Sequence, residues 1–97
     1  DYFSDLTGMV LEGIPDDLRR RYRFLPDEGL MISEVRRGSR ADRMGLQRGD
    51  VVVRLDRESL TREEDLAHLV PAILGRGSFF MVVVRGRVAY NLTFRLP

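Results

Sequence analysis

The stretch Gly38-Ser39-Arg40-Ala41-Asp42-Arg43-Met44-Gly45-Leu46-Gln47-Arg48-Gly49-Asp50, with the apolar run Val51-Val52-Val53-Arg54-Leu55 behind it, constrains the fold more than any other part of the chain. Gly38 and Ser39 predict a turn that starts a short helix, because a serine hydroxyl at the N-cap accepts an orphan backbone N–H. Ala41 and Met44 are three apart and share one face of that turn. Gly45 stops it where φ must become positive. Leu46 then points back to the core, and Gly49 makes a second tight turn. Asp50 opens a strand whose apolar residues run almost unbroken. A random loop has no need of both glycine stops, the leucine after the first and the aspartate after the second.

A chain of 97 residues suits one domain. At that size folding buries ~60–65% of the unfolded surface, enough for one modest core. The net charge of +1 gives no field to attract nucleic acid or an anionic membrane. Without cysteine there is no disulfide framework, thiolate ligand or thiol nucleophile. The longest apolar run, Phe79 to Val84, is too short to cross a bilayer. A chain beginning at Asp1 is expected to be a piece of a larger protein, with any signal peptide outside it.

In chain order, residues 1–5 read as a linker end. Leu6 to Glu12 reads as a turn feeding a short strand, and Gly13 to Asp17 breaks it. Pro15, Asp16 and Asp17 suit a helix start. From Leu18 to Leu25 the spacing predicts a short amphipathic helix burying Leu18, Tyr22 and Leu25, with Arg19, Arg20, Arg21 and Arg23 as its solvated face. Those arginines also admit a phosphate-binding patch, which the near-neutral net charge disfavours. Leu30, Ile32 and Val35 mark a strand. Thr61-Arg62-Glu63-Glu64 fits a capping box, with Thr61 capping and Glu64 reaching back. The helix it starts carries Leu66, Leu69 and Val70 on one face, and Pro71 is expected to end it. Phe79 to Val84 reads as a strand buried on both faces. After the reversal at Arg85-Gly86-Arg87, Val88, Tyr90, Leu92, Phe94 and Leu96 alternate as the inner face of an antiparallel strand. Asn91-Leu92-Thr93 matches a glycosylation sequon by chance, inside that strand.

The glycine-rich stretch resembles the core pattern of a PDZ domain, Gly-Ser-x-Ala-x-x-x-Gly-Leu-x-x-Gly-Asp followed by an apolar strand. Arg40 stands where that family often has proline. The resemblance covers residues 6–96, treats 6–97 as a single domain, and is strongest to the PDZ domains of bacterial HtrA/DegP-type serine proteases, through the helix inserted at 15–25. It implies an α+β fold: a five- or six-stranded, mostly antiparallel partial barrel capped by two helices. It implies a loop of Thr7, Gly8 and Met9 whose amides face the carboxylate of a bound peptide. The same resemblance implies a groove of Val10, Leu11, Arg62, Leu66, Leu69 and Val70, with Met9 and Thr7 contributing to the strand wall. An extended C-terminal or unfolded segment would add to the strand by backbone hydrogen bonds, a mode for which PDZ domains are a known example. Gly8→Val is expected to block the carboxylate while leaving the domain folded. Plain core packing is the competing reading for Leu66 and Leu69, and simple exposure for Arg62.

No catalytic residue is expected in this stretch. His68 is the single histidine, and no serine has the surroundings a nucleophile needs. One histidine without cysteine supplies no metal site, and no cofactor is implied. The resemblance implies a parent in the bacterial periplasm or cell envelope, with a catalytic protease domain in the same chain, no nucleic-acid partner and no membrane insertion. A scaffold PDZ module of a secretion system, or the regulatory PDZ of a membrane metalloprotease or tail-specific protease, are the alternatives.

Overall fold

In a computed structural model, which describes residues 2–96, the chain folds as α1 (Tyr2–Thr7), β1 (Met9–Gly13), α2 (Asp16–Arg21), β2 (Leu30–Val35), α3 (Arg40–Arg43), β3 (Val51–Leu55), β4 (Glu58–Ser59), α4 (Glu64–Arg76), β5 (Ser78–Arg85) and β6 (Val88–Arg95). The six strands form one antiparallel sheet in the order β1-β2-β3-β5-β6, with β4 paired to β3. β1 and β6 therefore end this order, and the two-residue β4 is paired only to β3. This is the expected α+β architecture, with six strands and four helical segments.

The central stretch folds as its residues dictate. Ser39 caps α3, its hydroxyl accepting from the Asp42 N–H at 3.2 Å. Gly45 and Gly49 take φ of +85° and +96° at the two stops, and Ala41 and Leu46 are buried between them. Asp50 is itself buried, at 2% exposure. Its Oδ1 accepts from Arg85 Nε at 2.8 Å, and its Oδ2 accepts from Arg85 Nη2 at 2.8 Å and from the Gln47 N–H at 2.9 Å. The same Nη2 donates to the Gly45 carbonyl at 2.8 Å. The hydrogen bond to Asp50 holds the Arg85 guanidinium above its ordinary pKa. The turn is thus braced to the far end of β5, forty residues on.

Phe79 sits at the middle of the core. Its ring stacks on Phe94 with centroids 4.9 Å apart and leans on Phe3 at 6.0 Å. Around it pack Met9, Leu11, Leu30, Ile32, Leu55, Leu60, Leu66, Ile73, Met81 and Val83.

Six expectations need correction. Tyr2 to Asp5 are not a linker end but most of α1, and Phe3 is 3% exposed. Six residues do not hold a helix alone in water; burying the Phe3 ring, worth about 2–3 kcal/mol, holds this one. α2 stops at Arg21 and buries none of its residues; Tyr22 remains 42% exposed. α4 does not end at Pro71 but runs on to Arg76, where Gly77 closes it with an N–H to the Ile73 carbonyl at 2.8 Å. The ~3 kcal/mol cost of an interior proline is offset by burying Leu66 before it and Ile73 after it, each worth about 2 kcal/mol. The residue that reaches back at the start of α4 is Asp65, not Glu64. Its Oδ2 accepts from the Thr61 and Arg62 N–H groups at 2.9 and 3.0 Å. β5 is buried on one face only: Phe79, Met81 and Val83 point in, and Phe80 is 41% exposed. The expected alternation of β6 holds only from Leu92 to Phe94; Val88 and Tyr90, beside the turn at Arg85 to Val88, are exposed.

Candidate functional site

Among the described residues, β1 is paired on one side only, to β2, in the register Met9↔Val35 to Gly13↔Leu30, with an irregularity between Val10 and Leu11. Beside it lies α4. Between them is a groove of about 490 Å³ lined by Leu11 of β1, by Leu66, Ala67, Val70 and Pro71 of α4, by Tyr2 and Phe3 of α1, and by Glu63. The lining is apolar apart from Glu63 and the Tyr2 hydroxyl. Pro71 adds one further polar feature. Having no N–H, it leaves the Ala67 carbonyl without its helical donor on the wall of the groove.

Of the residues expected to form this groove, Leu11, Leu66 and Val70 lie in it. Met9 is fully buried and faces the core, as the two-residue period of β1 requires once Leu11 faces inward. Val10 alternates to the other face and its carbonyl accepts from Ser33 Oγ at 3.4 Å. Leu69 lies on the opposite flank of α4, where it lines a cavity of about 830 Å³ with Ala72, Arg76, Phe80, Val82 and Asn91. Arg62 precedes the helix and is solvated, its Nε 3.7 Å from Glu64. The groove residues that sequence reasoning missed are Tyr2, Phe3, Glu63, Ala67 and Pro71. The pair of aromatics in an otherwise polar lead-in was the available sign for the first two.

The loop before β1 is tightly bonded. The Gly8 N–H donates to the Ser4 carbonyl at 2.8 Å, continuing α1 by one more bond. Thr7 is 2% exposed; its hydroxyl donates to the Phe3 carbonyl at 2.9 Å and accepts from the Met9 N–H at 3.2 Å. The Gly8 carbonyl accepts from the Arg36 N–H at 2.7 Å. Gly8 has φ +88°, and a Cβ built on it would stand 2.1 Å from the Ser39 Cβ. Only glycine fits between loop and α3, so Gly8→Val breaks the packing instead of leaving the domain folded.

At the start of α4, the Asp65 carboxylate is held below its usual pKa, first by the Arg62 and then by the Thr61 backbone N–H. Among the described residues no cluster of His, Asp and Glu is placed to hold a metal ion.

Known proteins resemble this chain over most of its length. The family model described as PDZ domain matches residues 31–85, more than half of the chain. A probable periplasmic serine endoprotease, DegP-like, from Hahella chejuensis is 31% identical over 80 residues, covering 81% of this chain and 17% of that protein. The chain thus spans about a sixth of the length of the curated relatives it matches. Among solved structures, the HtrA3 PDZ domain bound to the phage-derived ligand FGRWV superposes with a TM-score of 0.76 at 22% identity, covering 94% of this chain and 83% of that one. The HtrA-type protease AlgW with a decapeptide superposes with a TM-score of 0.67 at 21% identity, covering 92% of this chain and 27% of that one. At those identities the likeness concerns the fold.

Proposed function

The chain belongs to the PDZ domain family, and on that premise we propose that it captures extended polypeptide by adding it as a strand to the open edge of β1. The observation that carries the reading is the juxtaposition of an unpaired strand edge with an apolar groove of about 490 Å³ under α4. The edge offers backbone N–H and C=O groups to any sequence, while the groove selects apolar side chains. Leu11, Leu66 and Val70 supply that selection, and Glu63 stands at the lip. The affinity expected is of micromolar order, about −8 kcal/mol, because the free peptide must be ordered on binding.

The finer reading places this domain in an HtrA-like, trypsin-type serine endopeptidase of the bacterial periplasm. The names of the curated relatives support it. In that setting the domain binds C-terminal or unfolded segments of substrates and regulates or positions the catalytic domain of the same chain. A histidine, an aspartate and a Gly-Asn-Ser-Gly-Gly stretch encoded upstream of residue 1 test the parent's identity.

The groove is tested by filling it. Ala67 is exposed on the groove wall, so Ala67→Trp obstructs the groove without disturbing the core. A peptide selected from a random display library should bind this variant at least about tenfold more weakly than the wild type, with unchanged thermal stability. Leu69→Ala, on the other flank of α4, should retain the affinity. Undiminished binding to Ala67→Trp would place the ligand elsewhere.

A further inference from the structure

We infer that this chain pairs with a second copy of itself through the face that carries α2, away from the groove. α2 has the same length as α1 but lacks what holds α1 in place. Six residues are too few for a helix to persist alone in water. Phe3 anchors α1 in the core, whereas α2 buries none of its residues, and its N-cap, Pro15, makes no side-chain bond. Leu18, Tyr22, Phe24 and Leu25 instead line an open cavity of about 500 Å³ that they share with Met31. The Tyr22 and Phe24 rings stand with centroids 5.8 Å apart, and they are 42% and 43% exposed. An aromatic pair left half in water beside an apolar cavity has the composition of an interface core.

The charges on this face identify what covers it. Asp16 and Asp17 open α2, Arg19, Arg20 and Arg21 close it, and Arg23 follows. Arg19 is turned onto the Pro26 carbonyl. Asp16 and Arg20, like Asp17 and Arg21, are spaced to pair along the helix. Among the described residues, none of these four and not Arg23 is in an ion pair. The same holds for Glu12 and Arg48, which line the cavity. An anionic surface or a nucleic acid would be repelled by the acids. A face that is acidic at one end and basic at the other is complementary to itself turned through a two-fold axis. With the two helices antiparallel, Asp16 and Asp17 of one copy meet Arg20, Arg21 and Arg23 of the other, twice over. Glu12 and Arg48 add an acid and a base to the same pattern. The exposed rings of each copy then close the cavity of the other. The groove under α4 shares no residue with this cavity, so pairing does not consume it.

Sedimentation equilibrium of the chain from about 10 μM to about 1 mM should show monomer and dimer in exchange, with a dissociation constant on the order of 100 μM. Salt at about 0.5 M should weaken the pairing, because exposed charges are screened. Asp16→Arg/Asp17→Arg and Arg20→Asp/Arg21→Asp should each weaken it about tenfold or more, and an equimolar mixture of the two variants should associate again. Phe24→Ser should weaken it by a similar factor. Arg54→Asp/Arg57→Asp, at the cavity on the other flank of α4, should leave the constant within about twofold. All these positions are exposed, so each variant should keep the circular dichroism spectrum of the wild type. A chain that stays monomeric to about 1 mM overturns the inference. A dimer that ignores the substitutions on α2, a mixture that does not recover, or a dimer weakened as much by Arg54→Asp/Arg57→Asp overturns it as well. None of these results bears on peptide capture at β1, which is measured separately.

Discussion

Arg85→Ala removes the one counterion of a buried carboxylate, and its cost follows from the geometry. Asp50 is 2% exposed and loses two charge-assisted hydrogen bonds of 2.8 Å, keeping only the Gln47 N–H. The Gly45 carbonyl loses its donor as well. Stranding a buried charge in this way costs about 3–5 kcal/mol when both partners are inaccessible. Arg85 is 38% exposed, so water reaches the vacated position and the expected cost falls to about 2–4 kcal/mol. A domain of this size holds about 5–15 kcal/mol in total. The melting temperature should therefore drop by roughly 10–20 °C. Urea unfolding followed by circular dichroism measures the free energy directly. Arg85→Lys, which keeps the charge but not the fork, should cost about half as much. In a double-mutant cycle, Asp50→Asn combined with Arg85→Ala should lose clearly less than the two single losses added together. An Arg85→Ala protein within about 0.5 kcal/mol of the wild type, or a cycle with no coupling, would refute the idea that this pair braces the glycine turn against β5.

Other perturbations test other parts of the account. Pro71→Ala restores an N–H to the Ala67 carbonyl and should stabilise the domain by about 1–3 kcal/mol in urea unfolding; no gain would mean that α4 is adapted to its proline. Gly8→Ala combines a positive φ with overlap against Ser39 and should destabilise by about 2–5 kcal/mol, seen as a lower denaturation midpoint. The folded state holds the Asp65 carboxyl below its ordinary value of 3.8, so its contribution is present above that pH and is lost as pH falls through the folded value. Asp65→Asn should accordingly flatten the loss of stability below pH 3.8 in an acid titration, and an unchanged acid limb would remove the cap assigned to it.

The fold was legible where residue chemistry is local. Glycine at two stops, Ser39 at the cap and Asp50 before an apolar run each have one good structural use, and together they imply the turn-helix-turn-strand that is found. Boundaries set by tertiary burial were not legible. α1 exists because Phe3 reaches Phe79, a contact between residues 76 apart in sequence that no local spacing reveals. Pro71 reads as a stop until Ile73 is known to be in the core. Side-chain direction explains the mixed outcome at the groove. Leu66 and Val70 share the stripe that faces β1, whereas Leu69 turns to the other flank, and the sequence pattern alone groups all three. The hydrogen bonds that occupy the Gly8 loop depend on α1, so they were equally out of reach.

Amide hydrogen exchange on a complex with a library-selected peptide tests the central claim most directly, because the sheet order ends in β1 and β6 and of these only β1 lies beside the groove. Strand addition predicts that protection rises at alternate amides of Met9 to Gly13 and leaves β6 unchanged. Protection that appears along Val88 to Arg95, or nowhere on β1, would contradict it.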